Sequence, residues 1–415
     1  MAKFHIGRNG TPALCKAQKG SCPFGGEEQH YNTKEEAQKH VETKLAQEYN
    51  VYNGNKRSDI SNSPALNNTN QLSAAEEEIN LSTGEIQHIY TTLTALRETG
   101  VNLNSKEGRD NKIVREKIDE IVNMIGNKKV NKAFFDNIEK EYGYFVHREL
   151  SMSYSITNNN TYAQKLLSGR KIEIKEYDRN ANGKELSTTE KISYFKAGML
   201  HTNKPHVDMK KELEEDKDYQ ELIKNLKEDY VFAEPDTEKE KEKAFDELDE
   251  MPMSTQDLLS GYTRHDYSQY TYLTHGYDKE VGKLTIQNLD AINNRIAVTN
   301  TSPNGEKRMM FRGMGTPKNM TQKEYLDSFT EGETIVTNKM TSTSLDMMVA
   351  KSFCGAKEDK GVIVVYYSNK GMYVEPITRY RDEEEVIVPI AQEFVVTEKV
   401  VSENGKHYIV VTDSK

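Results

Sequence analysis

The feature of this sequence that most constrains its fold is a series of short apolar runs near the C-terminus, separated by turns of a few residues. The runs have the length and the enrichment in valine, isoleucine and tyrosine that are typical of β-strands. Because the connections between them are short, we expect a compact and mostly antiparallel β domain. The predicted strands are Gly361–Tyr367, Met372–Ile377, Glu384–Pro389, Glu393–Val401 and His407–Thr412.

The rest of the chain divides into segments of different composition. At 415 residues the chain is too long for one ordinary domain, and we expect two or three folded units. We predict the α+β class, in which helical and small β-containing regions precede the C-terminal domain. The predicted segments are a small Cys/His module followed by a helix (1–53), a polar linker (54–73), a helical and then β-containing region of unknown role (74–207), a charged helical linker (208–250) and the C-terminal domain (251–415).

Three patterns describe the segments between the module and the C-terminal domain. Asn182-Gly183 is a turn signal between the runs Lys171–Tyr177 and Glu185–Tyr194, and it predicts β structure there. From Asp208 to Glu250, charges of both signs alternate with leucine and isoleucine, which predicts solvated helix. Spacings of three and four predict amphipathic helices earlier in the chain. The residues with this spacing are Ile86, Ile89, Tyr90, Leu93 and Leu96, followed by Ile118, Ile121 and Ile125.

The charge and the distribution of apolar residues argue against several classes of protein. The net charge is −10 and the sequence has no dense Lys/Arg stripe. Binding would therefore release few counterions from a nucleic-acid backbone, and we expect no nucleic-acid partner. No apolar run approaches the roughly 20 residues that span a bilayer, and the start of the chain lacks the apolar centre of a signal peptide. We therefore expect a soluble, cytoplasmic protein without a membrane partner. Cys15, Cys22 and Cys354 are odd in number, and we expect no disulfide framework.

The first chemical motif is the run Met310–Gly313. Its apolar residues suit a strand whose last side chain, Arg312, meets a ligand in a cleft. An arginine can bind phosphate with two parallel hydrogen bonds, and Gly313 would let the backbone approach closely. The alternative is an ordinary surface arginine at a strand end.

The second motif is the hydroxyl-rich run Thr341–Leu345, which stands before a predicted helix at Asp346–Phe353. Strand alternation puts Ser342 and Ser344 on one face and Thr343 on the other. One hydroxyl can therefore orient a carboxylate while another braces the sheet. Serine and threonine are also common strand residues and helix caps, which is the alternative.

The third motif is the acidic run Asp382–Pro389. Here Glu383 and Glu385 would share one strand face, and Glu385 is followed directly by an apolar strand. We expect partial burial of Glu385 beside a second carboxylate. The alternative is a solvated acidic turn.

In this order the three motifs resemble the R-S-E pattern of arginine-specific mono-ADP-ribosyltransferases, the branch that contains the clostridial binary-toxin enzyme components and their insecticidal relatives. The resemblance covers roughly Ser254 to Lys415. It implies two packed, mostly antiparallel sheets with flanking helices, and NAD as a substrate. It also implies that Arg312 holds an NAD phosphate, that Ser342 positions the catalytic Glu385, and that Glu383 faces the acceptor.

The resemblance extends to further positions. It implies that Gly313, Thr343 and Ser344 belong to the NAD site together with Arg312 and Ser342. Phe353 would pack on nicotinamide, although a core aromatic is the alternative. The family's upstream helix is similar to Tyr262-Thr263 and Tyr267, and Tyr380 would be the exposed aromatic of an acceptor loop at Thr378–Asp382. One position departs, because Ala356-Lys357 stands where the toxins often have a second arginine. Lys357 can supply the positive charge of that arginine, but not the two parallel hydrogen bonds of its guanidinium.

The chemistry explains these residue types. Cleavage of the nicotinamide–ribose bond passes through an oxocarbenium-like state, which an ionised Glu385 would stabilise. Glu383 would orient or deprotonate the incoming guanidinium. We therefore expect transfer of ADP-ribose from NAD to arginine side chains of target proteins, with release of nicotinamide. The alternatives are an NAD glycohydrolase and a structural or virion-associated protein with an inactive transferase fold.

The N-terminal module poses a separate question. His5, Cys15, Cys22 and His30 have the residue types of a tetrahedral zinc site, but the cysteines are farther apart than in common zinc folds. The alternative is a Gly/Pro-rich recognition or packaging tag with two free thiols. Segments of this kind resemble parts of bacteriophage proteins, which would suit an enzyme that a virus encodes and delivers into a host cell.

Overall fold

The computed structural model divides the chain into two compact units, Met1–Ser73 and Ala74–Lys415, and we describe each by itself. No helix in the part of the chain that the structure describes is long and apolar enough to span a membrane. The described residues are 3–6, 12–15, 30–37, 39, 79–177, 179, 183–228, 238–263, 267–275, 280–281, 284–302, 305–317, 320–354, 361–378, 380, 383–403 and 405–414.

The N-terminal unit contains a small hairpin. Strands β1 (Phe4–Ile6) and β2 (Pro12–Leu14) are antiparallel. The Sγ of Cys15 lies 3.3 Å from the Nε2 of His30. Among the described residues no three His, Cys, Asp or Glu side chains are placed to hold a metal ion. Cys22 and the segment 54–73 lie outside the described residues, so the zinc site, the linker and the bacteriophage likeness stay predictions.

The second unit begins with six helices, which confirm the helical spacing seen in the sequence. Side chains of the predicted apolar series, including Ile89, Leu93, Ile118 and Ile121, are buried in one hydrophobic cluster. A capping box between Ser82 and Glu85 starts the first helix. The helices are α1 (Thr83–Glu98), α2 (Lys106–Asp110), α3 (Lys112–Ile125), α4 (Lys132–Tyr142), α5 (Tyr144–Thr157) and α6 (Tyr162–Gly169).

The predicted β structure around Asn182-Gly183 is wrong in both runs. The first run, Lys171–Tyr177, forms no strand and contains only an isolated bridge of Ile174 with Thr202. A capping box between Ser187 and Glu190 starts helix α7 (Thr188–Lys196), so the local capping chemistry overrides the apparent strand pattern. Next to the turn, the described residues form an isolated bridge between Arg179 and Glu185, and Asn182 lies outside the described residues. The chain then enters a true strand, β3 (Met199–His201).

A nine-stranded sheet forms the centre of the second unit. Its strands lie in the order β10-β11-β8-β6-β9-β13-β12-β7-β3. Only the β13–β9 pair is parallel, which confirms the mostly antiparallel arrangement. The strands after β3 are β6 (Arg308–Gly315), β7 (Thr334–Thr337), β8 (Thr341–Ser344), β9 (Gly361–Ser368), β10 (Met372–Tyr373), β11 (Glu385–Val388), β12 (Glu393–Val401) and β13 (His407–Asp413).

Helices and a short hairpin surround this sheet. The hairpin joins β4 (Glu280–Val281) to β5 (Leu284–Thr285). A 3₁₀ helix at Glu375–Ile377 replaces the second half of the predicted strand Met372–Ile377, because Pro376 lacks the N–H that a strand ladder needs. The helices are α8 (Lys210–Leu213), α9 (Lys217–Lys227), α10 (Glu238–Asp249), α11 (Met253–Gly261), α12 (Tyr267–Thr274), α13 (Ile286–Val298), α14 (Gln322–Asp327) and α15 (Met347–Phe353).

The two sheets expected from the family resemblance are halves of this one sheet. A single residue pair, Phe311 with Ser344, joins strand β6 to strand β8. Side chains from both halves, such as Val364 and Val386, share one buried cluster. The halves therefore fold over a common core, while the thin junction leaves room for a cleft where β6 and β8 separate.

The charged segment 208–250 is helical, but the prediction that it is a solvated linker is wrong for α8 and α9. Leu213, Leu222 and Leu226 are buried in a cluster with apolar side chains of the sheet. The hydroxyl of Tyr219 lies 3.0 Å from the Oγ1 of Thr397 on β12. The alternating charges occupy the outer face of α9, and its inner face covers the sheet.

We predict that Leu222→Ala lowers the free energy of unfolding by about 2–5 kcal/mol, because it opens a cavity under α9. Leu222 is fully buried. Chemical denaturation of the full chain measures this change, with exposed Lys224→Ala as the control on the same helix. A loss below about 0.5 kcal/mol, as expected for a surface position, would contradict the packing of α9 on the sheet.

Candidate active site

The cleft at the junction of the two half-sheets collects the residues that the motifs single out. Its volume is about 550 Å³, within the range of about 300–1,000 Å³ usual for small-molecule sites. A larger groove of about 1100 Å³, between the helical region and β3, is lined by none of the predicted site residues that the structure describes. The cleft is lined by Tyr262, Thr263, Thr271, Phe311, Arg312, Gly313, Lys339, Met340, Ser342, Thr343, Ser344, Val349, Ala350, Phe353, Tyr380, Glu383 and Glu385.

Arg312 reaches the cleft from strand β6. Its Nη1 donates a hydrogen bond of 2.5 Å to the carbonyl oxygen of Ser342. No carboxylate in the part of the chain that the structure describes forms an ion pair with it. A guanidinium has five N–H donors, so most of them stay available to an anion in the cleft.

Gly313 has a packing role that the sequence did not suggest. A Cβ at this position would lie 1.9 Å from the carbonyl oxygen of Ala350. The glycine therefore allows helix α15 to lie directly against strand β6. Gly313 does line the cleft, as predicted, but the close approach that the structure requires is between helix and strand.

Strand pairing brings Ser342 and Glu385 to one face. Ser344 is opposite Glu385 and Ser342 is opposite Ile387, so these side chains project to the same side. Thr343 points the other way and donates to the carbonyl oxygen of Val386 at 2.8 Å, which confirms the predicted alternation. The hydroxyl of Ser344 accepts the N–H of Asp346, so it also fixes the turn into α15.

Tyr262 lies beneath Ser342. Its hydroxyl is 3.0 Å from the Oγ of Ser342 and donates to the carbonyl oxygen of Met340 at 3.0 Å. Burial raises the pKa of Tyr262 to about 12, so the phenol stays neutral and keeps one O–H donor, while its oxygen can also accept a hydrogen bond. Tyr267 begins α12, but its side chain is outside the described part of the structure.

Glu385 is only 6% exposed. Burial and the neighbouring Glu383 raise its pKa to about 7, although a hydrogen bond with Ser342 and the charge of Arg312 act in the opposite direction. Burial also raises the pKa of Glu383. The alternative interpretation, in which Glu385 belongs to a solvated acidic turn, is therefore wrong.

The two glutamates do not share a strand face, which corrects the prediction from alternation. Glu384 has a φ of 42°, in the left-handed region, and it interrupts the strand. Strand β11 therefore begins at Glu385, while Glu383 lies in the preceding turn with its N–H bonded to the carbonyl oxygen of Tyr380. Both carboxyl side chains nevertheless line the cleft.

Two aromatic side chains line the cleft. Phe353 is 59% exposed, which excludes the alternative of a core aromatic. Tyr380 is half-buried and follows Thr378, whose hydroxyl accepts its N–H. The rest of the predicted acceptor loop, Arg379 and Arg381-Asp382, lies outside the described residues, as do Ala356 and Lys357.

Sequence reasoning missed Lys339. This residue lines the cleft just before strand β8. Burial and the charge of Arg312 lower its pKa to about 7. Its position three residues before Ser342 is the only signal in the sequence, and a lysine in a loop is usually solvated.

Residues 236–415 match the family model described as ADP-ribosyltransferase exoenzyme. This region belongs to that family. It has the ADP-ribosyltransferase fold, and NAD is the substrate from which such a domain takes ADP-ribose. Two elements of this fold precede the matched residues. They are β3, the edge strand of the sheet, and α9, the helix that packs on the sheet.

Three solved structures illustrate the similarity of the transferase domain to known proteins. An ADP-ribosyltransferase from Clostridium botulinum is 15% identical, with 45% of this chain and 100% of that chain covered and a TM-score of 0.35. An ADP-ribosyltransferase toxin from Paenibacillus larvae is 17% identical, with 43% and 96% covered and a TM-score of 0.32. Exoenzyme S from Pseudomonas aeruginosa is 19% identical, with 47% and 88% covered and a TM-score of 0.32. No curated protein sequence matches the chain significantly.

We predict that Glu385→Gln stabilises the transferase domain at alkaline pH. The pKa in the folded state, about 7, lies above the ordinary value of 4.5, so the cost of ionising Glu385 in the fold appears above pH 4.5 and grows until the pH passes about 7. At pH 8 the variant should gain about 3 kcal/mol in free energy of unfolding, and at pH 4 little. Denaturant titrations at both pH values measure this, with exposed Glu403→Gln as the control. A gain that is equal at both pH values would contradict the raised pKa.

Proposed function

We propose that the transferase domain transfers ADP-ribose from NAD to arginine side chains of target proteins and releases nicotinamide. The observation that carries this proposal is the convergence of Arg312, Ser342, Glu383 and Glu385 on one cleft. These residues come from three strands and a turn, and no local interaction of the chain requires them to meet. A guanidinium that forms no ion pair, grouped with two carboxyls of raised pKa, is typical of a functional site.

The cleft offers complementary groups to each part of NAD. Arg312 would bind the pyrophosphate with the donors that the Ser342 carbonyl does not use. Exposed Phe353 would stack on the nicotinamide ring. Tyr262 would hold the Ser342 hydroxyl in place beside the catalytic carboxyl, and is therefore a positioning residue. Ser344 and Thr343 would shape the wall behind the ribose.

Glu385 would act on the bond that breaks. When the bond between the ribose C1 and the nicotinamide nitrogen opens, nicotinamide leaves with the electron pair and positive charge develops on the ribose. An ionised carboxylate near the 2-hydroxyl stabilises that charge, and its poor solvation in the buried site strengthens the interaction. Because the pKa of Glu385 is about 7, this ionised form predominates only above neutral pH.

Glu383 would act on the acceptor. A guanidinium has a pKa above roughly 12, so it needs a positioned base to become a nucleophile. Burial raises the pKa of Glu383 and makes its carboxylate a stronger base than an exposed glutamate. The acceptor nitrogen would bond to the ribose C1 while Glu383 receives its proton, and Tyr380 would contact the acceptor at the mouth of the cleft.

We predict that the native chain labels proteins of a bacterial lysate from labelled NAD, and that Glu385→Gln reduces labelling by at least about 10²-fold, as is usual when a group that stabilises transition-state charge is removed. The matched control is Glu403→Gln, which makes the same change at an exposed site. Equal labelling by native protein and Glu385→Gln would assign catalysis to another residue. Nicotinamide release without protein labelling would indicate a glycohydrolase, and no NAD turnover an inactive fold.

We predict that Glu383→Gln separates transfer from hydrolysis. With agmatine as a soluble guanidinium acceptor, the variant should lose about 10²-fold or more in ADP-ribosyl-agmatine formation, because the base for the acceptor is gone. Release of nicotinamide to water should change by less than about tenfold, since Glu385 is intact. Chromatography of both products from one reaction gives the two rates. A parallel loss of both rates would contradict a role for Glu383 in acceptor activation.

A further inference from the structure

Lys339 is a second cation in the cleft that the proposed mechanism does not use. It lies between strands β7 and β8 and lines the cleft together with Arg312. Its side chain makes one hydrogen bond in the described structure, from Nζ to the carbonyl oxygen of Lys196 at 3.3 Å. No described carboxylate forms an ion pair with it. A half-buried ammonium without an acidic partner is costly, and a lysine of this kind in a cleft is a candidate for binding a ligand.

The helical region that precedes the family match holds Lys339 in place. The N–H of Asn338 donates to the carbonyl oxygen of Gly198 at 3.3 Å, and its Nδ2 donates to that of Phe195 at 2.5 Å. Together with the bond from Lys339, these contacts tie the β7–β8 turn to the connection between α7 and β3. Gly198 has a φ of 96°, and a Cβ there would lie 2.5 Å from the Cε of Lys339. The left-handed backbone favours glycine at this position, and the absence of a Cβ leaves space for the end of the lysine stem.

The charged groups around Lys339 leave its charge uncompensated. Arg312 on β6 and Lys196 on α7 are the neighbouring basic groups, and Glu149, whose charge acts on Lys196, forms its ion pairs with Arg115 and Arg148. His275, after α12, is buried, and neither ring nitrogen has a hydrogen-bond partner in the described structure. Burial and the two lysines lower the pKa of His275 well below its usual value, so it stays neutral. Glu383 and Glu385 line the same cleft, but neither raises the pKa of Lys339.

We infer that Lys339 is the second cation for the pyrophosphate of NAD, opposite Arg312, and that the connection Phe195–Gly198 positions it. The inference rests on the proposed function, because it requires NAD in this cleft. Two cations that form no ion pair among the described residues match the two negative charges of a pyrophosphate. The helical region therefore contributes to substrate binding through the backbone carbonyl that holds the ammonium.

Protonation should be linked to binding at this site. The pKa of Lys339 in the free protein is about 7, so at pH 8 most molecules carry a neutral amine. A pyrophosphate within hydrogen-bond distance favours the charged form and raises the pKa of the lysine. NAD binding at pH 8 should therefore take up a proton, and affinity for NAD should fall as the pH rises above 7.

Isothermal titration calorimetry of full-length protein tests the inference. All variants carry Glu385→Gln, which slows turnover by the predicted factor of at least about 10² and removes the other group with a pKa near 7. Titrations at pH 8 in two buffers of different ionisation enthalpy give both the Kd and the proton uptake. NAD and ADP-ribose contain the pyrophosphate, whereas nicotinamide does not and serves as the control ligand.

We predict that Lys339→Gln weakens NAD and ADP-ribose binding by at least about tenfold at pH 6.5 and abolishes proton uptake at pH 8, without changing nicotinamide binding. Glutamine keeps a donor for the Lys196 carbonyl, so the fold should persist. Lys339→Arg should keep affinity for NAD but show no uptake, because its charge is permanent. Exposed Lys323→Met should behave as the parent protein.

Two outcomes would overturn the inference. If Lys339→Gln bound NAD within about twofold of the parent at pH 6.5, with unchanged proton uptake at pH 8, the lysine would have only a structural role. If the parent protein bound no NAD while the unsubstituted enzyme showed no turnover, the proposed function itself would fail, and this inference with it.

Discussion

The pairing of strand β8 with strand β11 is the interaction on which the site depends. It places the hydroxyl of Ser342 and the carboxyl of Glu385 on one face, next to a buried tyrosine that holds the serine. The single pair of Phe311 with Ser344 joins the other half of the sheet to strand β8. Arg312 forms a second contact across this junction by donating a hydrogen bond to the Ser342 carbonyl oxygen. A longer ladder between β6 and β8 would close the space that the dinucleotide needs. The cleft is thus a consequence of how little these two strands pair.

The same geometry puts stability and function in opposition. Burial of Glu385 beside Glu383 raises the pKa to about 7, so the ionised form that the chemistry requires is the form that the fold tolerates least. The arginine and lysine in the cleft form no ion pair among the described residues, and their charges are left for a ligand to neutralise. Substrate binding would reduce both the cost of ionising Glu385 and the cost of the two cations. The large hydrophobic clusters on either face of the sheet supply the stability that offsets this cost.

Local patterns predicted most of the site and much of the sheet, but not the contacts between distant segments. Strand alternation correctly separated Thr343 from Ser342, because it depends only on neighbouring residues. It failed at Glu383, where the left-handed backbone of Glu384 breaks the period. The burial of Leu222 and the placement of Lys339 depend on surfaces far away in the sequence, which no local pattern contains. The family resemblance supplied the roles of the three motifs, whereas it is silent about the helical region that braces the cleft.

The most direct test of the convergence of Arg312, Ser342 and Glu385 on one dinucleotide is a crystal structure of the Glu385→Gln protein with NAD. We expect the pyrophosphate within hydrogen-bond distance of the Arg312 guanidinium, and the 2-hydroxyl of the nicotinamide ribose beside the side chain at position 385. The nicotinamide should lie against Phe353. NAD bound in another cavity, or in this cleft with its pyrophosphate turned away from Arg312, would contradict the proposed active site.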